Sequence, residues 1–60
     1  MIIAELKTWN GKIIKEEIKR EWIDLIVVAI ENQMFVKSNK DKFSINGKDF
    51  KHVDIYEVEE

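Results

Sequence analysis

Apolar and polar positions alternate with a period of two at both ends of this 60-residue chain. In "IIAELKTWNGKIIKEEI", residues 2–18, Ile2, Ala4 and Leu6 alternate with Ile3, Glu5 and Lys7. An Asn10-Gly11 pair follows, and after it Ile14, Glu16 and Ile18 share one face. A side-chain period of two is that of a β-strand. Asn-Gly between two such runs predicts a hairpin, with a type I′ turn that needs positive φ at both central residues. Toward the other end, "MFVKS" (34–38) and "KFSI" (42–45) flank the polar turn "NKDK". "INGKDFKHV" (45–53) carries a second Asn-Gly. "VDIYEV" (53–58) alternates again, with Val53, Ile55 and Glu57 on one side and Asp54, Tyr56 and Val58 on the other.

The middle admits two readings. "LIVVAI", residues 25–30, is the most apolar run of the chain. Wound as a helix over residues 15–32, it puts Glu17, Arg20, Glu21, Asp24 and Glu31 in one polar stripe, interrupted only by Val28. Ile14, Ile18, Trp22, Leu25 and Ala29 then run down the opposite side. Extended as a strand, "WIDLIVVAI" is rich in β-branched residues, which lose χ1 freedom in helices and pack well on a pleated surface. Two features favour the strand. Glu31-Asn32-Gln33 offers no glycine or proline to stop a helix, only Asn32 as a cap. The rest of the chain is hairpin-like, and foldable sequences are locally consistent. The expected fold class is therefore all-β, a small five- to six-stranded hairpin-rich barrel. The alternative is α+β, a ββαβββ arrangement with a helix over residues 15–32. Residues 1–60 read as a single small domain without repeat or linker.

The strand–Asn-Gly–strand opening and the closing "FSINGKDFKHVDIYEV" resemble the hairpin-rich layout of SH3-like and Sm-like barrels, in which a single turn separates the last two strands. The aspartate–asparagine and glycine motifs of Sm proteins are missing. The resemblance is one of layout, and it implies a fold and no function.

Composition removes several classes of chemistry. There is no cysteine, hence no disulfide and no thiolate metal site, and the single histidine, His52, cannot form a histidine-pair zinc motif. No cofactor or metal is expected. An apolar fraction of 45% at a net charge of −2 describes a globular chain rather than a disordered one. The apolar run is far shorter than the ~20 residues of a membrane span, and no basic segment precedes a long apolar one, so a soluble, cytoplasmic protein without a signal peptide is expected. Isoleucine and lysine abound, with one arginine and no proline. That bias points to AT-rich coding, as in a low-GC bacterium, its phage or another mobile element.

Candidate chemistry is sparse. Gly11-Lys12 and Gly47-Lys48 are followed by Ile13 and Asp49, not by the hydroxyl residue of a phosphate-cradling loop, and both pairs read as hairpin turns. The carboxylate pairs Glu16/Glu17 and Asp54/Glu57 would need a pocket to perturb them before they could do acid–base work. Glu57, Glu59 and Glu60 read as a solvated terminus, and His52 as a strand-entry residue. No enzyme is expected.

Two interaction readings follow. Residues 37–51 hold Lys37, Lys40, Lys42, Lys48 and Lys51 against Asp41 and Asp49, with Phe35, Phe43 and Phe50 interleaved. Small barrels use such cationic and aromatic faces for single-stranded nucleic acid. The overall negative charge, the acidic residues 54–60 and the placement of Arg20 elsewhere oppose that reading. The leading expectation is a non-enzymatic protein-interaction module. As a strand, the apolar run points Ile23, Leu25, Val27 and Ala29 one way and Ile26, Val28 and Ile30 the other. One set fills the core, and the other requires a second cover, most simply a second copy in a homodimer. The interface candidates are Trp9, Trp22, Ile26, Val28 and Ile30. A phage-borne regulator or inhibitor that binds a host protein is the expected biological form.

Overall fold

The computed structural model describes residues 1–59. Glu60, counted above in the acidic end, lies outside the described residues. Strand β1 (Ile2–Thr8) turns into β2 (Ile13–Ile18), and a 3₁₀ turn at Arg20–Trp22 leads into helix α1 (Ile23–Glu31). Strands β3 (Phe35–Ser38) and β4 (Phe43–Asn46) follow, then a 3₁₀ turn at Gly47–Asp49 and the long strand β5 (Phe50–Glu57). One antiparallel sheet has the order β2-β1-β5, and a second pairs β3 with β4. The order of elements is the ββαβββ alternative. The two sheets do not join into the closed barrel expected from the sequence, and the molecule is only 15 Å deep along its shortest axis. That depth suits two packed layers.

The first hairpin forms where the alternation predicts it, with Ala4 opposite Glu16 and Leu6 opposite Ile14. Its turn differs from the expected type I′. The N–H of Gly11 donates to the carbonyl of Thr8 (3.1 Å), and the N–H of Thr8 donates to that of Lys12 (2.8 Å). Only Gly11 in this loop has positive φ, at 91°. This is a three-residue loop, a turn followed by a left-handed glycine that forms a bulge. The Asn10 side chain accepts from the Thr8 hydroxyl and from the Lys12 N–H, which holds the loop closed.

The apolar run is helical, which corrects the strand reading. The helix begins at Ile23 and not at residue 15, because residues 13–18 are spent on β2. Ile26, Ala29 and Ile30 are buried, while Asp24, Val28 and Glu31 face outward along the polar stripe. The missing stop signal is Gln33, which takes the left-handed conformation (φ 51°) usually left to glycine. The N–H of Met34 donates to Ala29 (2.9 Å) and that of Gln33 to Ile30 (3.2 Å), the two bonds of a Schellman cap. The Gln33 side-chain amide donates to the carbonyls of Ile30 (2.8 Å), Gly47 (3.1 Å) and Phe50 (3.0 Å). These bonds offset the strain of a side chain at positive φ.

The second Asn-Gly is not the hairpin turn expected from the sequence. The strands on either side, β4 and β5, belong to different sheets. Asn46 accepts from the Lys48 N–H and opens the 3₁₀ turn. Gly47 is buried against the end of α1, and its N–H donates to Met34 (2.8 Å). A β-carbon at Gly47 would lie 1.9 Å from the carbonyl oxygen of Ala29. Glycine is required here by contact, not by turn type.

The core draws on every layer: Ala4 and Leu6 from β1, Ile18 from β2, Ile26, Ala29 and Ile30 from α1, and Ile45 from β4. A helix shows its apolar stripe to one cover, and the sheets supply it. The second cover that a two-faced strand would have demanded is no longer required.

Candidate functional site

An open cleft of about 430 Å³ lies where a barrel would have closed, between β2 and β4. Ala4 and Leu6 of β1 border it together with Glu16, Glu17 and Ile18 of β2. Trp22 and Ile26 line it from the helical segment, and Phe43, Ser44, Ile45 and Asn46 from β4. Asp49 and Phe50 complete it. The Trp22 and Phe43 rings stack at 4.6 Å between centroids with an 18° tilt. The Lys19 ammonium sits 5.5 Å from the centroid of the Trp22 ring. The indole N–H of Trp22 is buried and has no hydrogen-bond acceptor among the described residues.

Local structure explains each position. Glu16 shares the inner face of β2 with Ile14 and Ile18, so a carboxylate stands where the alternation calls for an apolar residue. β2 is the outer strand of its sheet and β4 has only β3 beside it, so each presents one unpaired edge among the described residues. Trp22 is delivered by the 3₁₀ turn that precedes α1, and Phe43 by the first position of β4.

The candidates from the sequence are scattered by the fold. Trp22 belongs to the cleft. Ile26, 1% exposed, reaches the cleft only at its floor, and Ile30, 6% exposed, is a core residue. The parity that grouped them with Val28 holds for a strand and not for a helix. Val28 is exposed at 45%. Trp9, 60% exposed, lies over the 3₁₀ turn at 47–49 and donates its indole N–H to the Lys48 carbonyl at 2.9 Å. It is a partial lid with a large free surface.

The lysines fall at two places, the β3–β4 hairpin and the surroundings of Trp9. Lys37 and Lys42 border a depression at the β3–β4 hairpin, and Lys40 lies in its loop. Lys48 borders a different depression with Trp9 and Lys12, and Lys51 a third with His52 and Val53. Of the three phenylalanines, Phe43 and Phe50 pack against the core, and Phe35 alone is largely exposed.

The outer face of the three-stranded sheet carries paired polar groups. Tyr56 donates its hydroxyl to Glu5 at 3.1 Å, and His52 contacts Asp54 at 3.0 Å. Shielding from water, the bond to Glu5 and the charge of Glu5 raise the Tyr56 phenol above its ordinary value of 10.0. Arg20, in the 3₁₀ turn after β2, and Glu57 of β5 form an exposed ion pair at 2.9 Å. Among the described residues no group of three His, Asp or Glu side chains gathers to hold a metal ion, and no helix is long and apolar enough to cross a membrane.

Sequence reasoning did not single out Glu16, Glu17, Asp49 and Phe43 as one site. The one local signal was Glu16, which breaks the apolar alternation of β2. Compared with known proteins, the chain matches no protein-family model, no curated protein and no solved structure.

Proposed function

We propose that this chain is a small non-enzymatic protein-binding module whose working surface is the cleft between its two sheets. The observation that carries the reading is the stacked Trp22–Phe43 pair lining an open apolar cleft between two unpaired strand edges. Aromatic side chains in such settings dominate binding energies. Exposed strand edges are templates for another chain, and natural proteins usually cover or blunt them. A regulator of a host protein, acting in the cytoplasm, is the form that its size and AT-rich coding favour.

Self-association has a weaker basis than the sequence indicated, since the helix needs no second cover. The site itself is tested by position-specific photocrosslinking. A photoreactive residue at Ser44, exposed on the β4 wall of the cleft, should capture a discrete partner in cells of the source or its host. The same group at Ile13, on the outer face of the other sheet, should not. Capture at Ile13 with none at Ser44 would refute the cleft as the working surface.

A further inference from the structure

We infer that the cleft takes an extended segment of a partner protein bearing lysine or arginine, added as a strand to the free edge of β4; the inference rests on the reading of the cleft as the binding surface. Four consecutive residues of β4, Phe43 to Asn46, line the cleft. Successive side chains of a strand point to opposite faces, so a strand that borders a cavity with all four presents its edge. The opposite wall, Glu16 to Ile18 of β2, is also a run of consecutive residues. An edge offers main-chain N–H and C=O groups, and a peptide that pairs with it gains affinity from them and specificity from its alternate side chains. Here the side chains directed inward would meet Trp22, Phe43 and Leu6.

Charge selects the occupant. Glu16, Glu17 and Asp49 line the cleft, and among the described residues no cationic side chain does. The nearest identified cation, Lys19, is already drawn over the Trp22 ring. A cationic segment meets complementary potential there. A second copy of this chain is disfavoured by the same groups. An isologous contact across the cleft would set Glu16, Glu17 and Asp49 against their own images. Nucleic acid meets three carboxylates at the same place.

The test is a titration of the uniformly ¹⁵N-labelled full chain, followed at the Trp22 indole N–H and at the Ser44 and Glu17 amides. The probes are two pools of extended peptides, about nine residues or roughly 30 Å long. Both alternate Val, Ile, Leu or Phe with a charged residue, Lys or Arg in one pool and Asp or Glu in the other. The basic pool should shift all three signals saturably, and the acidic pool should bind at least about tenfold more weakly, a difference of about 1.4 kcal/mol. The double variant Glu16→Lys/Glu17→Lys, both positions being exposed, should reverse the preference while the rest of the spectrum persists.

Equal binding of the two pools would overturn the charge-selected partner and leave the cleft reading intact. Silence of the three signals with both pools would overturn the strand addition. Shifts that follow protein concentration without peptide would assign the cleft to a second copy and overturn the inference likewise. Failure of the underlying reading is separate, since it appears as loss of crosslinking at Ser44 in favour of Ile13.

Discussion

Replacing Gly47 by alanine puts a methyl group where backbone already stands. The added β-carbon would lie 1.9 Å from the Ala29 oxygen, 2.3 Å from the Ala29 carbonyl carbon and 2.9 Å from the Ile30 nitrogen. Carbon contacts are comfortable only near 3.5 Å or beyond, so the turn must retreat from the helix by about 1.5 Å. None of the three atoms belongs to a flexible side chain that can swing aside. The retreat also pulls on the Gly47 N–H bond to Met34 and on the Gln33 amide bond to the Gly47 carbonyl. Overpacking of this kind costs about 1–3 kcal/mol, and stranding a buried partner costs about 1–3 kcal/mol more. The expected loss is about 2–6 kcal/mol. A domain of this length has a total stability of only about 3–9 kcal/mol, so Gly47→Ala should lose a large part of its stability.

Urea and thermal denaturation followed by circular dichroism measure the loss, and each kcal/mol should lower Tm by about 4–8 °C. Gly11→Ala is the matched control. It has positive φ but open space around it, and should lose only about 1–2 kcal/mol. A Gly47→Ala protein within about 1 kcal/mol of the parent, or less damaged than Gly11→Ala, would refute the close approach of the turn to the helix.

Other outcomes follow from single contacts. Gln33→Ala should destabilise by about 2 kcal/mol, because it keeps the left-handed strain and removes the bonds that offset it; Gln33→Gly should lose less, and equal losses by chemical denaturation would count against the cap. Tyr56 is the only tyrosine, so the ultraviolet absorbance of tyrosinate reports it alone, and its midpoint should lie above 10.0 and fall toward it in Glu5→Gln. Between the ordinary and the raised value the folded chain keeps a proton that the unfolded chain has lost, so stability should decline as pH rises through that window. Single-stranded DNA should not be retained at ~50 mM salt, where electrostatic binding is strong, since the lysines divide between the β3–β4 hairpin and the surroundings of Trp9. Retention that Lys40→Glu, Lys42→Glu and Lys48→Glu together abolish would instead restore the nucleic-acid reading.

Sequence alone determined the local parts of this protein. The first hairpin and strands near 34–38, 42–45 and 53–58 follow from a period of two, and the structure bears them out at 35–38, 43–46 and 50–57, where β5 starts three residues earlier than the alternation does. The polar stripe Asp24, Val28, Glu31 was also readable, down to the one apolar intruder that stands exposed. Tertiary structure decided the rest. Residues 25–30 are β-branched enough to prefer a strand locally, and burial of Ile26, Ala29 and Ile30 against the sheets overrides that preference. Their stop signal was invisible because Gln33 can hold a glycine's conformation only with the carbonyls of Gly47 and Phe50 in place, 14 and 17 residues away. Gly47 itself looked like a turn residue, and its need for glycine comes from a helix end with which it shares no local pattern. The cleft is of the same kind. β2 and β4 line it without pairing, so no alternation, spacing or turn along the chain records that Glu16, Trp22, Phe43 and Asp49 meet there. Local preferences act through neighbours in the chain, whereas a site between two sheets is made by groups that the chain brings together only when the core has closed.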